Sequence, residues 1–378
     1  YFENVNVYAV QSQNDSLLGP TFRDVHIEVV ETNTGNLSFF FGFSTLTNVF
    51  GGIELTERNF NYKGLARIFK DGPAAIRGGG EALRLRFNVG RKEYMYFLSW
   101  TKPYFLDTKW SVGFDLEKTS NRLVSNDYDI DSFGFSLHAG YPLNNYVRFG
   151  TQYRFRSSNV KISADSDISQ EEKGEANNDG IVSAVGASLT YSSVNHPFEP
   201  TMGFRSRLGA EFAGVGGNYT FFTTDYINTY YYPLTSRNIL KYRADLRFLF
   251  PVGSTTYEKL PLDERYFLGG ENSVRGYRSY RIGPKFEGGD PRGGISSMLL
   301  SMEYTYKMFE RFDAFAFVDG GSLSSEEFHI DRFRYSWGFG GRLKIIGNIP
   351  VTVGMGFPVN AQSDSDIRRF FISLGGNF

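Results

Sequence analysis

The chain has 378 residues, 40 of them Lys or Arg and 41 Asp or Glu, for a net charge of -1, and it has no cysteine. That balance gives no bulk electrostatic case for nucleic acid, and the missing thiols exclude disulfides, thiolate metal sites and cysteine nucleophiles. Aromatics make up 17% and glycine contributes 42 residues, yet no apolar run reaches about 18 residues, which excludes a transmembrane helix and suits short alternating strands.

Residues 1–32 come first. Residues 1–9 and 23–31 read as two strands around a polar connection at 11–19, too short to be an independent domain. The chain starts at Tyr1 with neither Met nor a signal peptide, as a processed or truncated chain would. From Leu37 onward period-2 alternation dominates, in about sixteen segments of roughly ten residues with aromatics near their ends. In the first segment Leu37, Phe39, Phe41 and Phe43 share a face. Over 110–117, Trp110, Val112, Phe114 and Leu116 alternate with Ser111, Gly113, Asp115 and Glu117. Over 241–250, Tyr242, Ala244, Leu246, Phe248 and Phe250 oppose Lys241, Arg243, Asp245 and Arg247. Over 296–308, Met298, Leu300, Met302, Tyr304 and Tyr306 oppose Ser297, Ser301, Glu303 and Thr305. In the last segment Phe370, Ile372, Leu374, Gly376 and Phe378 share a face.

One such strand fits a soluble sandwich. Sixteen in succession, with no helical stretch between them, predict an all-β fold: a 16-stranded antiparallel transmembrane β-barrel over residues 33–378, apolar outside and polar in the lumen. Closure also removes the edges that so large an open sheet would expose. Short connections at 142–145, 233–238 and 346–350 alternate with long ones at 118–131, 158–180, 251–294, 321–331 and 358–367. That alternation predicts short periplasmic turns and long external loops, with the C-terminus back on the periplasmic side.

No motif carries catalytic chemistry, and no cofactor or metal is predicted. His26, His138, His196 and His329 lack any metal-ligand spacing. Asp165, Asp167, Glu171, Glu172, Glu175 and Asp179 lack the EF-hand pattern and read as a solvated loop. Gly214, Gly216 and Gly217 form half a dinucleotide fingerprint without the helix it needs.

Residues 266–277 (YFLGGENSVRGY) differ, being aromatic and glycine-rich inside the longest loop. Their core, Val274, Arg275, Gly276 and Tyr277, resembles the loop-six motif of the outer-membrane assembly factor superfamily. That group comprises the BamA insertases, the TamA-type factors and the two-partner secretion transporters. Residues 31–35 (ETNTG) resemble its junction between the last POTRA domain and the barrel. Asn59-Phe60 and Lys102-Pro103-Tyr104-Phe105 resemble its early turns, and 317–321 (FVDGG) its strand-thirteen motif. The order and spacing of these matches span essentially the whole chain, and strand one and the junction look closer to the BamA family.

The resemblance implies that residues 1–32 are the C-terminal remnant of a periplasmic POTRA domain. It implies that loop 251–294 folds into the lumen as a lid, where Arg275 bonds Glu303 and Asp319. Glu303 lies on the polar parity of its strand, whereas the parity of Asp319 stays open because Phe315 and Phe317 share its face. A lateral seam is expected between Leu37, Phe39 and Phe41 of the first strand and Phe370, Ile372, Leu374, Gly375, Gly376 and Phe378 of the last. The glycine pair weakens that strand, having no side chain to pack.

The implied function is non-enzymatic: insertion of unfolded outer-membrane proteins in a Gram-negative outer membrane, templated by strand addition. The implied partners are those clients, assembly-machine lipoproteins, periplasmic chaperones and outer-membrane lipid. The alternative is TamA-type or two-partner-secretion translocation through the same fold. A passive porin has no use for the loop motif.

Overall fold

The computed structural model describes residues 2–11, 23–122, 124–125, 128–162, 170–176, 178–344 and 350–374. Two strands, β1 (Phe2–Gln11) and β2 (Arg23–Glu31), pair antiparallel in a sheet of their own. All the others close into one barrel. Its first half runs through β3 (Gly35–Ser44), β4 (Asn48–Phe60), β5 (Glu81–Gly90), β6 (Glu93–Lys102), β7 (Ser111–Asn121), β8 (Tyr128–Pro142), β9 (Val147–Ile162) and β10 (Gly180–Ser192). The second half continues through β11 (Gly203–Ala213), β12 (Phe221–Pro233), β13 (Asn238–Pro251), β14 (Ser296–Phe309), β15 (Phe312–Ser324), β16 (Arg334–Lys344), β17 (Pro350–Pro358) and β18 (Phe370–Leu374). Each strand pairs with its chain neighbours, and β18 returns to β3. The fold is the 16-stranded antiparallel barrel that the alternation predicts.

The wall shows which solvent it meets. Met302, Tyr304, Val318, Trp337 and Phe339 are exposed, while the residues between them, Glu303, Asp319 and Ser336, are buried. Water would reverse that arrangement. An apolar outside around a polar inside belongs to a barrel in lipid.

Antiparallel order sorts the connections between two ends. The turn end carries the start of β3 with residues 143–146, 234–237 and 310–311, and the loop end carries 252–295, 325–333 and 359–369 with the described residues 122, 124–125, 170–176 and 178–179. Several connections depart from the expected alternation, residues 103–110 and 193–202 at the turn end among them. Residues 45–47 and 91–92 are short yet lie at the loop end. Residues 61–80 are long yet lie at the turn end, where they hold a single helical turn, α1 (Ile68–Asp71). The connection between β9 and β10 also contains a helix, α2 (Gln170–Ala176). Two turns are too few for a 3.6-residue period to register in the sequence. The connection at 12–22 and the turn at 345–349 lie outside the described residues.

Candidate functional site

Loop six, residues 252–295, threads the lumen and places Val274 in a dry cluster with Leu268, Tyr277, Ile282, Leu299 and Leu323. The next side chain, Arg275, is 7% exposed and reaches two strands of the inner wall. Its Nε and Nη2 donate to Asp319 Oδ2 and Oδ1 at 2.7 and 2.8 Å, a bidentate fork on β15. Its Nη1 donates to Glu303 on β14, and its backbone N–H also donates to Asp319, at 3.1 Å. Ser301 Oγ donates to Asp319 at 2.6 Å, and Arg342 Nη2 to Glu303 at 3.2 Å. Both carboxylates are almost fully buried, at 4% and 0% exposure for Glu303 and Asp319.

The open parity of Asp319 now has a physical answer. Phe315 and Phe317 do share its inward face, and the Arg275 guanidinium lies over them, 3.7 Å from the Phe317 ring centroid. A desolvated cation on a π face is a favourable neighbour, so an aromatic pair beside an acid is consistent with a lumen wall.

Gly276 lets the arginine reach this depth. Its φ is +92°, and a Cβ there would lie 2.8 Å from the carbonyl carbon of Gly356 on β17. Gly276→Ala combines a strained φ with overpacking against backbone and is expected to cost about 1–3 kcal/mol. A lower urea midpoint at unchanged slope measures it. The motif also grips the last hairpin. Arg368 N–H donates to Gly276 O at 2.9 Å, Arg278 N–H to Asp366 O at 2.7 Å, and Lys285 Nζ to Asp366 Oδ1 at 2.6 Å.

The last hairpin leads to the seam. β17 and β18 pair over five positions, from Val351↔Leu374 to Met355↔Phe370. Across the closing edge the described residues give one pair, Ser373↔Ser44. Just beyond it, Thr45 N–H donates to Ile372 O at 2.9 Å, Ile372 N–H to Thr45 Oγ1 at 2.8 Å, and Arg368 Nη1 to Thr45 O at 3.0 Å. Every other neighbouring pair has at least five positions among the described residues. Leu37, Phe39, Phe41 and Phe370 are exposed on the outer face, Ile372 and Leu374 are half-buried, and Phe371 and Ser373 point inward and are buried. Gly375, Gly376 and Phe378 lie outside the described residues.

A sequence profile of the Omp85 superfamily domain matches residues 76–378. The chain belongs to the Omp85 superfamily. Among its relatives, the outer membrane protein assembly factor BamA of Neisseria meningitidis serogroup B is 22% identical over 430 residues, covering 100% of this chain and 51% of the relative. The corresponding BamA of Nitratidesulfovibrio vulgaris is 27% identical over 393 residues, covering 100% and 46%. This Omp85 chain thus spans about half the length of the curated relatives it matches. In structure it resembles BamA from Haemophilus ducreyi lacking POTRA domains 1–3, with a TM-score of 0.80 at 17% identity, over 99% of this chain and 75% of that one. CdiB from Acinetobacter baumannii is more distant, at a TM-score of 0.57 and 13% identity over 98% and 64% of the two chains.

The Omp85 barrel holds loop six at two further places that sequence reasoning missed. Elsewhere on the inner wall, Arg154 of β9 forks onto Glu264 of the loop at 2.6 and 3.0 Å, and also bonds Glu211 of β11. Ser158 Oγ donates to the adjacent Asp263. At the loop end, Glu175 of α2 accepts from Arg265 at 2.7 Å and from Arg292 at 2.7 and 2.6 Å. Both cations lie over the Tyr257 ring, at 4.5 and 4.9 Å. The acidic stretch read as solvated therefore supplies a clamp. Its signal was the unusual density of arginine in loop six, at Arg265, Arg275, Arg278, Arg281 and Arg292, which needs acids nearby.

Burial opposes the Glu175 charge, but Arg292 and Arg265 outweigh it and hold the carboxyl below its ordinary range. A lowered folded value means stability present above the ordinary carboxylate pKa, near 4.3, and lost as pH falls through the folded value. Protease nicking of residues 163–179 is accordingly expected to rise below about pH 4. In Glu175→Gln it should be raised at neutral pH and nearly pH-independent.

Proposed function

We propose that this barrel is the core of an outer-membrane protein insertase, with its turn end in the periplasm and its loop end outside. The seam carries the reading. Along β3 the backbone groups of residues 35–43 have no ladder partner on the closing edge among the described residues. That edge lies beside an outer face of Leu37, Phe39 and Phe41. A strand edge left unfilled at lipid depth would be costly, and an incoming client strand would satisfy it by adding to the sheet. No bond of the client is made or broken, so the site needs no catalytic residue and no cofactor. Clients would be unfolded outer-membrane proteins, handed over by periplasmic chaperones and assembly-machine lipoproteins. The β1–β2 hairpin suits the last remnant of a POTRA domain on the same side.

Loop six argues against the runner-up, TamA-type or two-partner-secretion transport of a client through the lumen. Val274, Arg275, Leu262 and Leu260 are nearly or fully buried inside the barrel, so the path would have to be emptied first. Vesicles carrying the full-length protein should accelerate folding of a urea-unfolded client barrel, scored by its heat-resistant mobility. Acceleration no greater than in empty vesicles, with export of a soluble passenger across the membrane, would overturn the insertase reading.

A further inference from the structure

Residues 61–80 are the longest of the turn-end connections that the loop rule does not explain. They lie between two carboxylates on the wrong face of the wall. Glu57 shares its parity with Val49, Ile53 and Leu55, and Glu81 with Leu85 and Val89, all outward and exposed to lipid. Both acids are nonetheless buried, at 8% and 2% exposure. Glu81 accepts from Tyr62 N–H at 3.1 Å, Trp100 Nε1 at 3.0 Å and Lys102 Nζ at 3.1 Å. Glu57 accepts from Arg77 Nε at 3.1 Å. The Tyr62 ring stands edge-on to Trp100, itself on the outer face, at 6.2 Å. These bonds pin residues 61–80 against the outside of β4, β5 and β6 at the turn end, and not beneath the lumen.

The segment is built, not slack. Asn61 N–H donates to Ile76 O at 2.8 Å and Gly80 N–H to Asn59 Oδ1 at 2.9 Å. Gly64 packs so closely that a Cβ would meet Ala75 O at 1.8 Å. With one face fixed to the wall through Tyr62 and Arg77, the other presents Leu65 and a fully exposed Phe69. Lys63, Arg67 and Lys70 lie among them, with Asp71 the one acid of the segment, 4.0 Å from Arg67. Apolar side chains continuous with a lipid-facing wall, bearing cations at the level where strands end, have the composition of an interfacial element.

We propose that residues 61–80 form a foot that binds anionic phospholipid headgroups of the periplasmic leaflet beside the seam. Phe69 and Leu65 enter the boundary between headgroup and acyl chain, and Lys63, Arg67 and Lys70 engage the phosphates. The inference rests on the reading that the barrel spans the outer membrane with its turn end inward. Its position on β4 to β6, the strands next to β3, puts a fixed lipid contact at the edge where clients would enter.

These 378 residues hold no cysteine, so the test needs only that any thiol elsewhere in the full-length protein be replaced by serine first. Single-cysteine variants Phe69→Cys, Phe41→Cys and Ser236→Cys of the full-length protein would carry an environment-sensitive fluorophore in vesicles of phosphatidylethanolamine and phosphatidylglycerol. The label at 69 should be quenched by nitroxides near the headgroup and shielded from aqueous iodide. The label at 41 should be quenched by nitroxides deep in the acyl chains, and the label at 236, on another turn of the same end, by iodide. Replacing Lys63, Arg67 and Lys70 by Gln should lower the preference for spin-labelled phosphatidylglycerol over phosphatidylcholine by about fivefold per engaged cation. Iodide access at 69 while 41 stays in lipid would overturn the foot and leave the face to a periplasmic protein. An unchanged headgroup preference in the Gln variant would overturn the phosphate contact. A label at 41 outside lipid would overturn the membrane reading itself, and the foot with it.

Discussion

Replacing Arg275 by alanine is expected to be among the most damaging single changes to this barrel. The substitution strips Asp319 of a fork and Glu303 of a donor while both stay buried. Breaking a buried ion pair by removing one partner costs about 3–5 kcal/mol, most of it the uncompensated charge left behind. Arg342 and Ser301 still touch the two acids, which argues for the lower part of that range. Arg275→Lys should fall between, since an ammonium keeps the charge but cannot form the bidentate fork. A triple variant, Arg275→Met with Glu303→Gln and Asp319→Asn, separates the two roles of the site. It should recover stability by removing the buried charge, yet leave loop six without its anchor and client insertion still depressed. Protease resistance of the loop, urea midpoints and insertion rates read these effects apart. Wild-type insertion in the alanine variant, with loop six still resistant, would show that the cluster is packing and nothing more.

The barrel wall was legible because one period repeats through sixteen strands, and repetition separates lipid from a soluble core where one strand cannot. The inward placement of Glu303 was legible from parity, but its pairing with Arg275 came only from the family resemblance. The placement of Asp319 was not legible, because parity marks a face as apolar without saying what stacks on it, and here the rings of Phe315 and Phe317 carry a guanidinium. The motif around Arg275 was legible only through family resemblance, since four residues in a loop have no periodicity. Arg154, Glu211 and Glu264 stayed hidden for another reason. They lie 57 and 110 residues apart in sequence and meet only when β9, β11 and loop six converge. Glu57 and Glu81 break the alternation of β4 and β5, and that break was itself the signal for a covering segment.

The second large effect concerns the seam. Cysteines at Ser44 and Ser373, joined by oxidation, are expected to abolish client insertion while leaving the barrel folded. The two are direct Cα partners. Antiparallel partners stand about 4.5–5.5 Å apart, within the roughly 4.4–6.8 Å a disulfide accepts, and the chain offers no other thiol to mispair. The reasoning is energetic. A net backbone bond contributes only about 0.5–1.5 kcal/mol, so a closing edge with one paired position among the described residues and the Thr45 bonds opens at modest cost, and a covalent bond does not. On the insertase reading, a client hairpin added to β3 would be accommodated between β3 and β18, so those strands would have to separate along their whole length. The control is a second cysteine pair at Thr119 and Ser132, facing partners on β7 and β8. Cross-linking that complete ladder should leave insertion untouched, and reducing agent should restore activity to the seam variant. Normal insertion with the seam fully oxidised would rule out lateral opening and turn attention to passage through the lumen. Loop six would then have to leave its clamps at Arg154, Asp319 and Glu175 in every cycle.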